Sequence, residues 1–213
     1  MIEIVSSGVN ADAARVVLFD FDGTLSLIRA GWVDVMVPMM VDLLAQTESS
    51  ESPEQLRQIV LDYVGRLTGK ETIYQMMALS DHLRARGVNA EDPHIYKKMY
   101  LERLMERIQY RLDALHSGRA SADEYLVPGS RKLLEALKGR GLTMYLASGT
   151  DHADVVAEAK LLKIDHYFAG IFGALDDLQS FSKELLIKRF IESKERGDNG
   201  QAAHTRYWPF RVF

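Results

Sequence analysis

The sequence predicts an α/β fold: a doubly wound parallel sheet whose first strand is followed by an inserted all-helical segment. Three observations carry that prediction. Short continuous apolar runs at residues 15–20 and 142–147 end in turn signals, as strands buried on both faces of a parallel sheet do. Between them, residues 30–122 hold long stretches of helical spacing. Beyond them strand and helix alternate again.

In chain order, Arg15-Val16-Val17-Leu18-Phe19-Asp20 reads as the first strand, bounded by the turn signal Asp22-Gly23. The apolar stretch 32–45 reads as a packed helix, because Asp34, Pro38 and Asp42 interrupt it and it falls short of the roughly 20 apolar residues a membrane span needs. Helical spacing continues over residues 54–67, 72–86 and 95–115, with polar breaks at 46–53 and 87–93. Pro128-Gly129-Ser130 opens a helix over 131–138 that Gly139-Arg140-Gly141 closes. A strand at 142–147, a helix over 151–162, a strand at 170–175 and a helix over 182–195 complete a Rossmann-like core.

Composition narrows the function classes. The 213 residues carry 26 Lys+Arg against 30 Asp+Glu, a net charge of −4, which supplies no clustered basic surface for nucleic acid. The chain has no cysteine, so it has no disulfide framework, thiolate metal site or Cys nucleophile, and a reducing, cytoplasmic setting fits. The N-terminus, Met1 to Ser7, lacks the basic start and apolar stretch of a secretory signal, which argues against export. Neither a membrane nor a nucleic-acid partner is expected, and the oligomeric state is left open.

The chemistry concentrates at Asp20-Phe21-Asp22-Gly23-Thr24-Leu25, where two carboxylates two residues apart follow a buried strand. In an open parallel sheet, ligands bind at that edge. Asp20 is placed to act as a carboxylate nucleophile that forms an aspartyl-phosphate, and Asp22 as general acid and then base. The alternative for a bare Asp-x-Asp is a pair of turn-capping residues. Leu146-Ala147-Ser148-Gly149-Thr150 offers a hydroxyl and backbone N–H groups at the mouth of the next helix, a ready anion site, or else simply a turn and cap. Asp151 reads better as a helix cap. Lys183 falls in the first turn of its helix, where the macrodipole disfavours a cation by a few tenths to about 1 kcal/mol unless an anion faces it.

These segments resemble the haloacid dehalogenase superfamily, over about residues 12–27 and 126–195. Asp20 to Leu25 matches the family's Asp-x-Asp-Gly-Thr motif without a gap, and an aspartate at position 22 is similar to the phosphatase and phosphomutase branch. The resemblance implies a magnesium-dependent phosphohydrolase acting on a small phosphorylated metabolite. Asp20 and the Asp22 backbone carbonyl would hold the metal, and Ser148, Gly149 and Lys183 would hold the phosphoryl group. It also implies a core of residues 1–27 and 126–213 and a helical cap domain at 28–125. A phosphomutase sheltering the same aspartyl-phosphate is the rival within the enzyme class, and an impaired phosphate-binding or regulatory protein the rival outside it.

Some positions depart from the pattern. Glu184 replaces the Pro often found after the lysine, and the family's fourth, acidic motif is not found. Asp176 and Asp177 are possible substitutes, whereas Asp198 follows a charged stretch rather than a buried strand. The apolar run 207–213 is of the kind expected just before the missing loop, so the expectation is a chain that stops one motif short, with weakened magnesium binding. Lys70, in Thr68-Gly69-Lys70-Glu71-Thr72, fails the Walker pattern in spacing and in Glu71. Arg29, Lys70 and Arg119 are substrate contacts from the insertion at best, and read more readily as exposed charges.

Overall fold

A computed structural model of the chain describes residues 14–48 and 50–175, together with Lys188. Among them, three strands form one parallel sheet in the order β1-β2-β3: β1 (Val16–Phe19), β2 (Thr143–Asp151) and β3 (Gly170–Ala174). Phe19 is in register with Leu146, and Leu146 with Ile171. The crossover from β1 to β2 contains α1 (Val33–Ala45), α2 (Pro53–Leu67), α3 (Thr72–Ala85), α4 (Pro93–His116) and α5 (Ser130–Gly139), and α6 (His152–Leu161) joins β2 to β3. The fold is therefore α/β with a helical insertion after the first strand.

The local reasons are legible residue by residue. Ser52 caps α2 reciprocally with Gln55 and Pro53 opens it, while Asp92 accepts from the His94 N–H at the start of α4 before Pro93. The α1 helix runs through Pro38, which lacks an N–H for the carbonyl one turn back, because its apolar face of Met36, Val37, Met39, Met40 and Leu44 is buried. Gly129, at φ 91°, turns the chain into α5 in a conformation that costs other residues strain.

One cluster of buried apolar residues includes Met144, Leu146, Val155 and Ala159 of the sheet and α6, Phe21, Leu25 and Ile28 of the connecting segment, and Met36, Leu104 and Ile108 of the helical block. Sheet and block thus share a core, with Phe21 and Ile28 at 0% exposure where they join. The second sheet face carries Leu18, Ala147 and Phe172.

The expected elements agree with the structure to within a few residues, with one informative exception. The strand expected to end at Ala147 continues to Asp151, because β2 carries a register shift: Ala147 pairs with Phe172 but Asp151 with Ala174. Four steps on β2 thus answer two on β3, which lifts residues 148–150 out of the ladder. The helix expected over 182–195 and the apolar run 207–213 lie outside the described residues, as do Lys183, Asp176, Asp177, Glu184 and Asp198.

Candidate active site

The C-terminal end of β1 delivers Asp20 and Asp22, and the loop after it is tied to a single shape. The Phe21 carbonyl accepts from the N–H groups of Thr24, Leu25 and Ser26, and Gly23, at φ 74°, donates to Ser26. Leu27 donates to Tyr125 and Val127 to Leu25, which fastens the loop to the segment that returns from the helical block. With the Phe21 ring fully buried, the two flanking aspartates have little freedom. Asp20 is half-buried and accepts from Thr24 Oγ1 at 3.4 Å.

The bulged end of β2 meets this loop. Ser148 Oγ and Thr150 Oγ1 both donate to Asp22 Oδ2, at 3.1 and 2.8 Å, across 126 and 128 residues of sequence. Ser148 Oγ also accepts from the Thr150 N–H at 3.0 Å. The Ser148 hydroxyl, expected on phosphate, therefore donates to Asp22 in this structure. Asp22 Oδ1 is buried and has no partner among the described residues. Burial pushes the Asp22 carboxyl pKa up, and the opposing pull of the Arg29 guanidinium and of the two hydroxyls does not cancel it. A carboxyl so placed can carry a proton to a reacting oxygen.

Asp20, Asp22, Ser148, Gly149 and Thr150 line one cavity of about 120 Å³, closed from the other side by Arg29, Lys70, Gln75, Tyr100 and neighbours. Gly149 has a steric reason to be glycine: a Cβ there would overlap the Lys70 backbone carbonyl, so the loop between α2 and α3 packs directly on the backbone at 149. Of the expected site residues, the structure brings together Asp20, Asp22, Ser148 and Gly149. Lys183 lies outside the described residues.

Two charges differ from the sequence expectation. Arg29 is not exposed: at 4% exposure it is enclosed, with Nε on Glu158 Oε1 at 2.9 Å and Nη2 on Asp154 Oδ2 at 2.9 Å. The acids at 154 and 158, one helical turn apart on α6, were the signal that could have found it. Asp151 occupies the cap position of α6 but makes no capping bond, because its carboxylate pairs at 2.5 Å with Lys97 of α4. Lys70 is exposed, as expected, yet borders the cavity, while Arg119 is exposed and bonds Ser117. Gln75 and Tyr100 carried no motif signal, and Thr150, quoted within the 146–150 segment, carried none for a bond to Asp22.

Among the described residues, no cluster of three or more His, Asp or Glu side chains is placed to hold a metal ion. The available donors at the site are oxygens from Asp20 and Asp22, which suit a hard cation that takes few carboxylates and completes its shell with phosphate and water. No helix among the described residues is long and apolar enough to cross a membrane.

The family model described as haloacid dehalogenase-like hydrolase matches residues 14–195. A predicted phosphatase from Clostridium acetobutylicum is similar in structure, with a TM-score of 0.53, 18% identity and coverage of 85% of this chain and 71% of that one. A predicted phosphoglycolate phosphatase from Haemophilus somnus 129PT has a TM-score of 0.51 at 15% identity, covering 86% of this chain and 72% of that one. At these identities the likeness is one of fold. No curated protein matches the sequence.

Proposed function

Because the chain belongs to the haloacid dehalogenase-like hydrolases, we propose that it is a magnesium-dependent phosphohydrolase acting on a small phosphorylated metabolite through an aspartyl-phosphate intermediate. The observation that carries this reading is the convergence of Ser148 and Thr150 on Asp22, beside Asp20 in one cavity. One carboxylate is thereby oriented by two hydroxyls, beside the carboxylate that reacts in this reading. In this reading the core comprises residues 1–27 and 126–213, and residues 28–125 form the cap domain. A cytoplasmic location belongs to the same proposal.

The chemistry follows from the two environments. An Asp20 oxygen attacks phosphorus in line with the ester oxygen, and the P–O bond to that oxygen breaks as Asp22 gives it a proton. Asp22, now ionised, takes a proton from water, which attacks the aspartyl-phosphate, releases inorganic phosphate and restores Asp20. When substrate binds, the Ser148 hydroxyl turns its one proton from Asp22 to the transferring group, which the Gly149 backbone and Lys183 also hold, while Thr150 keeps its bond to Asp22. Magnesium held by the Asp20 carboxylate and the Asp22 backbone carbonyl would supply charge neutralisation at the phosphoryl oxygens, with Asp176 or Asp177 as a further ligand.

The test is turnover of an aryl phosphate with magnesium. Asp20→Asn, nearly the same size but a poor nucleophile, is expected to abolish it while the circular dichroism spectrum and melting temperature stay unchanged. A folded and active Asp20→Asn protein removes Asp20 from the role.

A further inference from the structure

Buried polar atoms without partners mark where a protein has left a bond for something else to make. Among the described residues there are five such side-chain atoms, and two belong to residues that line the cavity: Asp22 Oδ1, which the proposed chemistry already uses, and Gln75 Oε1, which it does not. Gln75 projects from α3 and is 3% exposed. Its Nε2 donates to the Leu67 carbonyl at 3.2 Å, and because a carbonyl only accepts, that bond settles which end of the amide is which. The unpartnered atom is therefore an acceptor.

An unpaired buried acceptor is destabilising, and an apolar side chain at the same place would not be. Trp32, Met36 and Leu104 line the same cavity and suit carbon, beside the hydroxyl-bearing Thr68, Thr72 and Tyr100. The bordering cations are already engaged: Arg29 with Asp154 and Glu158, and Lys70 over the Tyr74 ring, 5.7 Å from its centroid. A carboxylate brought against Gln75 would meet a lone pair, whereas a hydroxyl would donate to it.

We propose that Gln75 is a specificity-determining residue whose Oε1 accepts a hydrogen bond from a hydroxyl on the organic part of the substrate. The substrate class is then a hydroxylated phosphomonoester, a polyol or sugar phosphate, rather than a plain alkyl phosphate or a phosphorylated carboxylic acid. This rests on the phosphohydrolase reading for the position of the phosphoryl group, and on the cavity alone for the hydroxyl.

The experiment compares kcat/KM for glycerol 1-phosphate and propyl phosphate, which differ only in hydroxyls, on the wild type and on Gln75→Met, a side chain of similar length. The expected result is a preference of about tenfold or more for the glycerol ester in the wild type, collapsing to within about threefold in the variant, in line with the loss of one buried hydrogen bond. A wild type without the preference, or a preference that survives Gln75→Met, overturns the proposal. The same two esters titrated against Asp20→Asn protein give the ratio as dissociation constants. An inert enzyme therefore overturns the phosphohydrolase reading, while the binding ratio still decides the role of Gln75.

Discussion

The hydroxyls of Ser148 and Thr150 reach the same oxygen of Asp22, and each bond is worth about 1.5–3 kcal/mol when that carboxylate is ionised. They hold the carboxyl group still and pull its pKa down, but burial outweighs them and the pKa remains raised. Proton donation matters most when the departing oxygen is a poor leaving group. Asp22→Ala is therefore expected to lower kcat much more on an alkyl phosphate than on a nitrophenyl phosphate, and steady-state kinetics on the two esters checks this. Equal losses on both would count against a general-acid role.

Between elements, three ion pairs fasten the helical block and its leading segment to the sheet end: Arg29 to Glu158 and to Asp154 of α6, and Lys97 of α4 to Asp151. The first is enclosed, with both Arg29 and Glu158 side chains at 5% exposure. Burial raises the Glu158 pKa, and Arg29 is what restrains the rise. Removing Arg29 leaves an uncompensated buried acid, so Arg29→Ala is expected to cost about 3–5 kcal/mol at mildly alkaline pH. A folded-state pKa raised above the unfolded value means that the folded protein binds the extra proton, so this group's contribution to stability falls as pH rises from the ordinary carboxylate range through the raised value. The cost of Arg29→Ala should shrink at mildly acidic pH, where Glu158 takes up its proton. Urea melts of both proteins at the two pH values measure it, and a pH-independent cost would count against the assignment.

At the scale of the whole molecule, the elements were legible because each has a short-range cause: apolar runs for β1 and β2, Ser52-Pro53 and Asp92-Pro93 for the helix starts, Gly129 for the entry to α5. The aspartate pair and Ser148-Gly149 were legible for the same reason, as compact motifs at strand ends. The enclosed role of Arg29, the Thr150–Asp22 bond, Gln75 and the Lys97–Asp151 pair were not, because each depends on a partner up to 129 residues away, and a single charge or hydroxyl carries no periodicity. The bulge in β2 escaped likewise, since it exists only relative to β3. These distant contacts converge on Asp20 and its surroundings, and the account stands or falls with the covalent step at that residue. The direct measurement is acid-quenched turnover of an aryl phosphate labelled in its phosphoryl group, followed by peptide mapping. The account predicts label on the peptide that contains Asp20, and none on Asp20→Asn protein. Turnover with no label on the chain, or label on another residue, would contradict it.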